Sequence, residues 1–299
     1  MGRGLAQGGP GGGGVISVCI VNWNTRDHLL ACLASVAESR ASAPLEVVVV
    51  DNASTDGSVE AVRRDHPDVK LIANGENRGY AAGNNQAIAA STGEFVALLN
   101  PDVVLPPDGL EAMAEFLRTH PEAAGVAPKL ILPDGSVQRS VRDFPGPLEV
   151  FCELTRLSRV FPRSRRLARY WLPDLDYDTP QPVPQPMASC LMLRRSDLER
   201  LGGFDEAFPI FFNDVDLSYR LHLAGRLTYL LSSVCVRHFH GASTRQVRRE
   251  MAWESARSLC AYYRKHYHGR LSPLIYYPLV SLIRLAGIVR WLASVSPRR

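Results

Sequence analysis

Residues 94–102, Glu-Phe-Val-Ala-Leu-Leu-Asn-Pro-Asp, contain a short apolar run that ends in a polar turn. The apolar residues 95–99 are typical of a strand covered on both faces, as in a parallel sheet. Pro101 has no N–H to offer a neighbouring strand, so the strand is predicted to end before it and to leave Asp102 at its carboxyl end. Open α/β sheets bind ligands at that end, and a carboxylate there suits Mg²⁺ or Mn²⁺ bridging phosphate oxygens. Asn-Pro-Asp is also ordinary turn chemistry, so the motif alone leaves both interpretations open.

The sequence around this run repeats one pattern, a buried strand followed by a polar turn and a helix. Strands are predicted at 15–21, 45–50, 69–73 and 95–99, and helices at 26–40, 57–66 and 80–90. This alternation predicts an α/β fold with a parallel, doubly wound sheet flanked by helices. Because parallel strands end at one edge, the polar clusters at 22–24, 51–56, 77–79 and 100–102 should lie together there.

The second half of the chain is less regular. Its predicted elements are an amphipathic helix with apolar positions 110, 113, 114 and 117, a hairpin across 129–140, a surface insertion rich in proline and arginine at 144–186, a strand at 188–193, a helix capped by Asn213 that runs to about Ala224, and two short strands at 227–231 and 234–238. Six scattered cysteines without a C-x-x-C pair favour reduced, buried thiols in a cytosolic protein.

Two carboxylates stand in the first turn of the helix that follows Asn213. Asp214 shares a face with the leucines three and seven residues later, so it is expected to point to the buried side. It is a candidate general base, and an N-terminal helix cap is the alternative. Asp216 lies on the opposite face, four residues before Arg220, and is expected to form a surface ion pair.

Two histidines alternate at the end of the last predicted strand, so one of them can face the sheet edge. His238 or His240 could there bind a divalent cation beside Asp102, or simply close the strand.

Further candidates for ligand contacts follow the other strands. Asp51 could accept the N3–H of a uracil or thymine ring, or could hold its own turn. Asn77 and Gly79 could let the backbone approach a ribose or phosphate, or could form a plain loop. Asn22 and Asn24 belong to the same predicted edge and are candidate substrate contacts. The P-loop pattern is absent.

Seven motifs in order carry a family resemblance. They are Val-Asn-Trp-Asn at 21–24, Val-Val-Asp-Asn-Ala-Ser-Thr-Asp-Gly-Ser at 49–58, Glu-Asn-Arg-Gly-Tyr-Ala-Ala-Gly-Asn-Asn at 76–85, Leu-Asn-Pro-Asp at 99–102, Gly-Gly-Phe-Asp-Glu at 202–206, Phe-Asn-Asp-Val-Asp-Leu at 212–217 and His-Phe-His-Gly at 238–241. Together they resemble the family 2 inverting glycosyltransferases of the GT-A fold, particularly the rhamnosyltransferase-like branch.

The resemblance covers about residues 15–245. It implies a Rossmann-like domain with a nucleotide-sugar half at 15–102 and an acceptor half at 103–245. It also implies that Asp51 contacts the base, Asp102 binds the metal and Asp214 is the catalytic base.

Further implications of the resemblance concern the histidines and two departures from the family pattern. His238 becomes a metal or diphosphate contact, with His240 beside it as a substrate contact. Asn100 replaces the first Asp of a strict D-x-D motif, which leaves a candidate substrate contact and a weaker metal site. Asn213 replaces the usual Glu before the catalytic Asp, so general-base chemistry depends on Asp214.

The two ends of the chain differ from this domain. Residues 1–14 are a glycine-rich tail that is expected to be flexible. Residues 246–299 are a basic segment expected to form amphipathic helices, and residues 237–299 carry a net charge of +10 within a chain of net charge +4. On a helical wheel Arg284, Gly287 and Arg290 share one half, with apolar residues largely in the other. A spanning helix would bury both arginines, so an in-plane helix on an anionic membrane is favoured; packing on the protein's own core or on a second subunit is the alternative.

These observations predict a glycosyltransferase that moves a sugar, with rhamnose a candidate, from a nucleoside-diphosphate sugar to a hydroxyl of a glycan or polyprenyl-linked acceptor. Mg²⁺ or Mn²⁺ would assist, and the protein would be cytoplasmic and peripheral on the inner face of the cell membrane. No nucleic-acid partner is expected. The alternatives are a nucleotidyltransferase, which would release pyrophosphate, and a catalytically silent nucleotide-sugar-binding module.

Overall fold

The computed structural model describes residues 14–239, 241 and 248–293. The strands are β1 (Ile16–Asn22), β2 (Leu45–Asp51), β3 (Lys70–Ala73), β4 (Phe95–Leu99), β5 (Val103–Val104), β6 (Ala123–Ile131), β7 (Val141–Arg142), β8 (Gln181–Val183), β9 (Gln185–Pro186), β10 (Cys190–Arg194) and β11 (Leu227–His238). The helices are α1 (Arg26–Ala37), α2 (Ser58–Asp65), α3 (Gly79–Ala89), α4 (Gly109–Thr119), α5 (Pro147–Leu154), α6 (Leu157–Val160), α7 (Arg195–Leu201), α8 (Asn213–Leu223), α9 (Arg248–His266) and α10 (Pro273–Ala293), with a 3₁₀ turn at Arg169–Trp171.

The first half of the chain forms the predicted parallel sheet. Strand β1 pairs in parallel with β2 on one side and β4 on the other, and β2 pairs in parallel with β3. Strand β4 spans the predicted residues and is fully buried. Phe95, Ala97 and Leu99 enter the core on one face of the sheet, and Val96 and Leu98 enter the core on the other. The continuous apolar run therefore reports a strand covered on both faces.

The second half extends this sheet with mixed strand directions. Strand β10 runs antiparallel between β4 and β6, and β11 pairs in parallel with β6. The two short strands expected at 227–238 are one strand, β11, whose pairing with β6 shifts register between Leu231 and Cys235. This register shift explains why the sequence pattern predicts two short strands in place of one. Short strand β5 adds to the far side of β11, antiparallel.

The hairpin across 129–140 forms but is short: Ile131 pairs with Val137 in an antiparallel bridge, and the N–H groups of Leu132 and Gln138 donate to the carbonyls of Ser136 and Leu130, each at 2.9 Å. Two other expectations for this half need correction. The helix after Asn213 begins at that residue, and Phe212 occupies the cap position without a side-chain cap. The region 144–186 is more than a surface insertion, since α5 buries Val150 and Cys152. All six cysteines are free as expected, although Cys235 is exposed.

The C-terminal helices α9 and α10 pack on each other and on the domain. Tyr262 and Tyr263 of α9, Leu279 and Ile283 of α10 and Val150 of α5 share one buried cluster. At roughly 1.5–3 kcal/mol for each fully buried large apolar side chain, this cluster is a substantial part of the fold. The described part of the C-terminal segment, α9 and α10, is therefore built into the domain along its inner side.

The helical-wheel interpretation of α10 is partly wrong. It assigns Gly287 to the polar half, but Gly287 is buried, and a Cβ at that position would lie 2.5 Å from the Cβ of Ala256 in α9. Small residues allow two helices to approach closely, which hydropathy alone does not show. Leu285, Val289 and Leu292, on the expected apolar half, are exposed.

Candidate active site

A cavity of about 450 Å³ opens at the carboxyl ends of the central strands. Most of the residues predicted to gather there line it. They are Asn22, Asn77, Gly79, Asn100, Asp102, Asp214 and His238. The polar turns therefore share one edge of the sheet, as the strand order requires. Apolar residues of the 210–212 loop and Met187 form much of the remaining wall.

Asn22 and Asp51 form a buried hydrogen-bonded pair at one end of this cavity. Asn22 Nδ2 donates to Asp51 Oδ2 at 2.8 Å, and the Ser54 backbone N–H donates to Asp51 Oδ1 at 2.8 Å. Thr25 Oγ1 donates to Asn22 Oδ1 at 2.6 Å. Asp51 is buried and is not among the residues that line the cavity. The turn-holding role is thus visible, while contact with a base stays a prediction.

Asn24 also organises this loop. It adopts a left-handed backbone with φ of 50°, and its Oδ1 accepts a hydrogen bond from Thr55 N at 2.8 Å. Asparagine is among the residues that adopt this conformation most readily. Asn24 joins the turns after β1 and β2 and does not line the cavity.

The turn before α3 is closed by another part of the protein. Asn77 Oδ1 accepts the N–H of Gly79 at 3.0 Å. Gly79 has φ of +85°, and a Cβ there would lie 2.7 Å from the Pro209 carbonyl oxygen. That carbonyl accepts the N–H groups of Tyr80 and Ala81, which begin the helix. The close approach that only glycine permits is therefore made by Pro209, and a ligand contact at Gly79 stays a prediction.

The central strand and the last strand bring Asp102 and His238 together. Antiparallel pairing of β5 with β11 sets Val103 opposite His238. His238 Nε2 then lies 3.3 Å from Asp102 Oδ1, and both side chains are almost fully buried. His240, the alternative metal contact, lies outside the described residues.

Gln138 fixes how the His238 ring is used. Its Oε1 lies 2.7 Å from His238 Nδ1, and a carbonyl oxygen can only accept, so Nδ1 carries a proton. The other ring nitrogen, Nε2, faces the Asp102 carboxylate, 3.3 Å from Oδ1.

The spacing of these two side chains would suit two neighbouring ligands of a divalent ion. Adjacent ligands of an octahedral ion with bonds of about 2.1 Å lie roughly 3 Å apart, close to the observed separation. The described part of the chain has no group of three or more His, Cys, Asp or Glu that could hold a metal. Mg²⁺ and Mn²⁺ often take only one or two protein ligands and fill the rest with water and phosphate oxygens. Asn100, which replaces a second carboxylate, donates from Nδ2 to Ser189 Oγ at 3.3 Å.

Asp214 lies on the cavity wall at the first turn of α8. Phe212, directly before the helix, has φ of 67°, a strained conformation for a large side chain. Asp214 Oδ1 accepts the Val215 N–H at 2.8 Å, and Oδ2 lies 3.4 Å from the Ala188 N–H. Loss of hydration raises the pKa of Asp214 above its ordinary value, and these two N–H groups offset that only in part.

Tyr80 shares the same strip of backbone as Asp214. Its hydroxyl donates to the Ala188 carbonyl at 3.0 Å, while the Ala188 N–H faces Asp214. Burial, and next the charge of Asp214, raise the pKa of Tyr80. Tyr80 is therefore a neutral hydroxyl that supports the peptide against which Asp214 rests.

The expected surface ion pair of Asp216 is wrong. Asp216 is 0 % exposed. Its Oδ2 accepts Arg220 Nε at 2.7 Å, and its Oδ1 accepts His266 Nε2 and Lys265 Nζ, each at 2.7 Å. Helix α9 covers this side of α8, and the spacing to Arg220 could not show that.

The sequence reasoning missed several residues of this region, and Gln138, Glu250 and Met251 are three of them. Gln138 carried no signal, because its partner His238 is 100 residues away in the chain. Glu250 and Met251 at the start of α9 also line the cavity. Their place beside the strand ends depends on how α9 folds back over α8.

Comparison with known proteins agrees with this geometry. A family model described as Glycosyl transferase family 2 matches residues 17–202. The chain belongs to glycosyl transferase family 2. It is 33% identical over 241 residues to the N-acetylglucosaminyl-diphospho-decaprenol L-rhamnosyltransferase of Mycobacterium tuberculosis. The aligned region covers 77% of this chain and 78% of that protein.

Solved structures support the GT-A fold of this family 2 glycosyltransferase. A mannosyltransferase from Pyrobaculum calidifontis, in complex with GDP-Man and Mn²⁺, aligns with a TM-score of 0.57 at 21% identity, covering 97% of this chain and 78% of the other. The GalNAc-T7 structure with UDP, GalNAc and Mn²⁺ aligns with a TM-score of 0.60 at 15% identity, covering 93% and 55%. At these identities the likeness shows the fold alone.

Proposed function

We propose that the protein transfers a sugar, with rhamnose the first candidate, from a nucleoside-diphosphate sugar to a hydroxyl of a lipid-linked or polysaccharide acceptor, with inversion. The observation that carries this proposal is the convergence of Asp214 with the Asp102–His238 pair on one cavity at the strand ends. The mycobacterial relative, an L-rhamnosyltransferase by name, supports rhamnose and a lipid-linked acceptor.

Asp214 removes the proton of the acceptor hydroxyl. Its raised pKa makes the carboxylate a stronger base than an exposed aspartate. The hydroxyl oxygen then attacks the anomeric carbon as the bond to the diphosphate breaks. Attack from the side opposite the leaving group inverts that carbon. The neighbouring Asn213 cannot ionise, so Asp214 carries this task alone.

Asp102 and His238 would hold a divalent ion, with Gln138 orienting the imidazole. Such an ion would supply positive charge that offsets the charge on the departing diphosphate. Asn100 offers a neutral polar contact at the cavity wall. Asp102→Ala is expected to abolish metal-dependent donor binding while the fold survives, and donor affinity that EDTA never changes in the wild type would contradict the metal assignment.

A panel of nucleotide sugars tests the activity. We expect incubation with dTDP-rhamnose or a related donor and a polyprenyl-diphosphate glycan, with Mg²⁺ or Mn²⁺, to release a nucleoside diphosphate. Release of pyrophosphate would support the nucleotidyltransferase alternative. Donor binding without turnover on any acceptor would support the silent binding module.

The proposal places the enzyme on the cytoplasmic face of a membrane, attached in part through α10. Helix α10 is long and apolar enough to cross a membrane by length and composition. Its inner side packs on α5 and α9, however, and Arg284 and Arg290 are exposed on the outer side. This arrangement favours a helix that lies in the membrane plane with exposed Leu285, Val289 and Leu292 toward lipid.

Point variants test this attachment better than truncation, because removing α10 would uncover Tyr262 and Tyr263. We expect Leu285→Ser/Val289→Ser/Leu292→Ser to reduce sedimentation with phosphatidylglycerol vesicles and to leave donor binding unchanged. Wild-type sedimentation of this variant would exclude α10 as the attachment surface.

A further inference from the structure

The segment 154–173 is the most one-sided in charge within the domain. It contains six arginines and no acidic residue. Arg165 pairs with Asp174 at 2.7 Å and Arg169 pairs with Asp143 at 2.7 Å. The other four have no ion pair among the residues that the structure describes, and all are exposed; they are Arg156, Arg159, Arg163 and Arg166.

Apolar side chains lie exposed at the tip of the same segment. Val160 is 66 % exposed and Phe161 is 50 % exposed, and they lie between Arg159 and Arg163. Phe151, in the preceding helix α5, is 44 % exposed. Basic residues around exposed aromatic and aliphatic residues are the composition of surfaces that insert into the headgroup region of anionic lipid.

The segment is held in place on the domain. Trp171 Nε1 donates to Glu153 Oε1 at 2.6 Å, and the Asp143 N–H donates to the Tyr170 carbonyl at 3.0 Å. Ser158 and Ala168 are buried. A scaffold fixed in this way presents its arginines without the entropy loss that an unstructured basic loop would suffer.

The segment also adjoins the proposed membrane helix. Helix α5, which leads directly into it, contacts α10, and Val150 and Leu154 pack with Tyr276 and Leu279 of α10. Exposed apolar residues at the start of α10 therefore stand on an element that borders the arginine segment.

We infer that residues 156–166 form a second membrane contact, in which four arginines bind anionic lipid headgroups and Val160 and Phe161 enter the interface. The inference rests on the proposed membrane attachment, but not on the proposed chemistry. With two contacts, α10 and this segment, the domain is held in one orientation on the membrane. The occupant is an anionic lipid surface, because exposed apolar side chains at the tip gain nothing from the phosphate backbone of a duplex nucleic acid.

The test is co-sedimentation of the full chain with vesicles of phosphatidylglycerol and phosphatidylcholine. We expect Arg159→Gln/Arg163→Gln/Arg166→Gln to bind at least about tenfold more weakly than the wild type, given the contribution of each basic residue near an anionic surface. The matched control, Arg40→Gln/Arg63→Gln/Arg64→Gln, changes three exposed arginines on α2 and after α1 and is expected to stay within about twofold. Val160→Ser/Phe161→Ser is expected to weaken binding with all charges intact.

Several results would overturn the inference. The first is wild-type vesicle binding by the folded triple variant. The second is equally weakened vesicle binding by the control variant. The third is a triple variant that no longer binds a duplex DNA probe but still binds vesicles like the wild type. Donor binding, measured on the same samples, distinguishes failure of the proposed sugar-transfer chemistry from failure of the proposed second membrane contact. A protein that never binds a nucleotide sugar refutes the proposed chemistry, and vesicle binding still decides this inference.

Discussion

Two carboxylates in one turn of α8 occupy opposite environments. Asp214 faces the cavity, and its hydrogen bonds to residues that the structure describes come from backbone N–H groups at 2.8 and 3.4 Å; lost hydration raises its pKa. Asp216 faces α9. Burial alone would raise its pKa, but hydrogen bonds from His266 and Lys265 and the charge of Arg220 lower it. We therefore propose that these identical side chains, two residues apart, serve as a proton acceptor and as a structural anchor, because the packing of α9 places cations beside Asp216 and none of the described cations beside Asp214.

The comparison also fixes the pH range of each role. Since the folded pKa of Asp216 is below its unfolded value of about 3.9, its contribution to stability is present above that value and is lost as pH falls through the folded pKa. The raised folded pKa of Asp214 has the opposite effect on stability. Above that pKa the ionised carboxylate lowers the stability of the fold, and below the unfolded pKa the carboxyl group makes no difference to stability.

The largest expected effect is on turnover. Asp214→Asn should leave donor binding near normal and lower kcat by about 10²- to 10⁴-fold, because it removes the proton acceptor without removing a donor contact. Steady-state kinetics with donor affinity measured by calorimetry checks this. Turnover close to wild type would remove Asp214 from the chemistry and break the contrast with Asp216.

The next effect is on stability. Asp216→Ala should lower the free energy of unfolding by about 3–5 kcal/mol, because it leaves Arg220, Lys265 and His266 without their buried partner. Urea unfolding at neutral pH measures it, with Asp205→Ala, which removes a partly exposed partner of Lys265, as the control. A loss below about 1 kcal/mol would show that the buried network is not an anchor.

Gln138→Leu tests whether a buried residue orients the His238 ring at the cavity. It should weaken Mn²⁺ affinity by about 10- to 100-fold, because the His238 ring loses the partner that orients it. Titration of Mn²⁺ in the presence of a nucleoside diphosphate gives the affinity. Unchanged affinity, with the fold confirmed by circular dichroism, would separate His238 from the metal.

The smallest effect is the stability of Asp214→Asn. At neutral pH this variant should be as stable as the wild type or slightly more so, because it lacks the ionised Asp214 carboxylate that opposes folding in the wild type. Thermal unfolding beside Asp216→Asn, which should be clearly destabilised, sharpens the comparison. Equal destabilisation of both would contradict the two environments.

The parts of the site that depend on neighbouring residues could be predicted from the sequence. The apolar run 95–99 followed by Pro101 predicts both ends of β4 correctly, and the polar turns after β1, β3 and β4 line one cavity as expected. The remainder depends on distant contacts. Asp216 meets His266 across 50 residues and Gln138 meets His238 across 100. A helical wheel shows which residues share a face, but not which neighbour later covers it, as Gly287 against α9 also shows.

The central claim is that Asp214, with its raised pKa, is the ionised base. The pH dependence of kcat/KM tests it most directly, since the lowered pKa of Asp216 keeps the helix network intact across the range where Asp214 titrates. We predict that wild-type kcat/KM rises with pH through a midpoint above about 4, the ordinary aspartate value, and that the residual activity of Asp214→Asn lacks this rise. The same acid limb in both proteins would contradict the assignment.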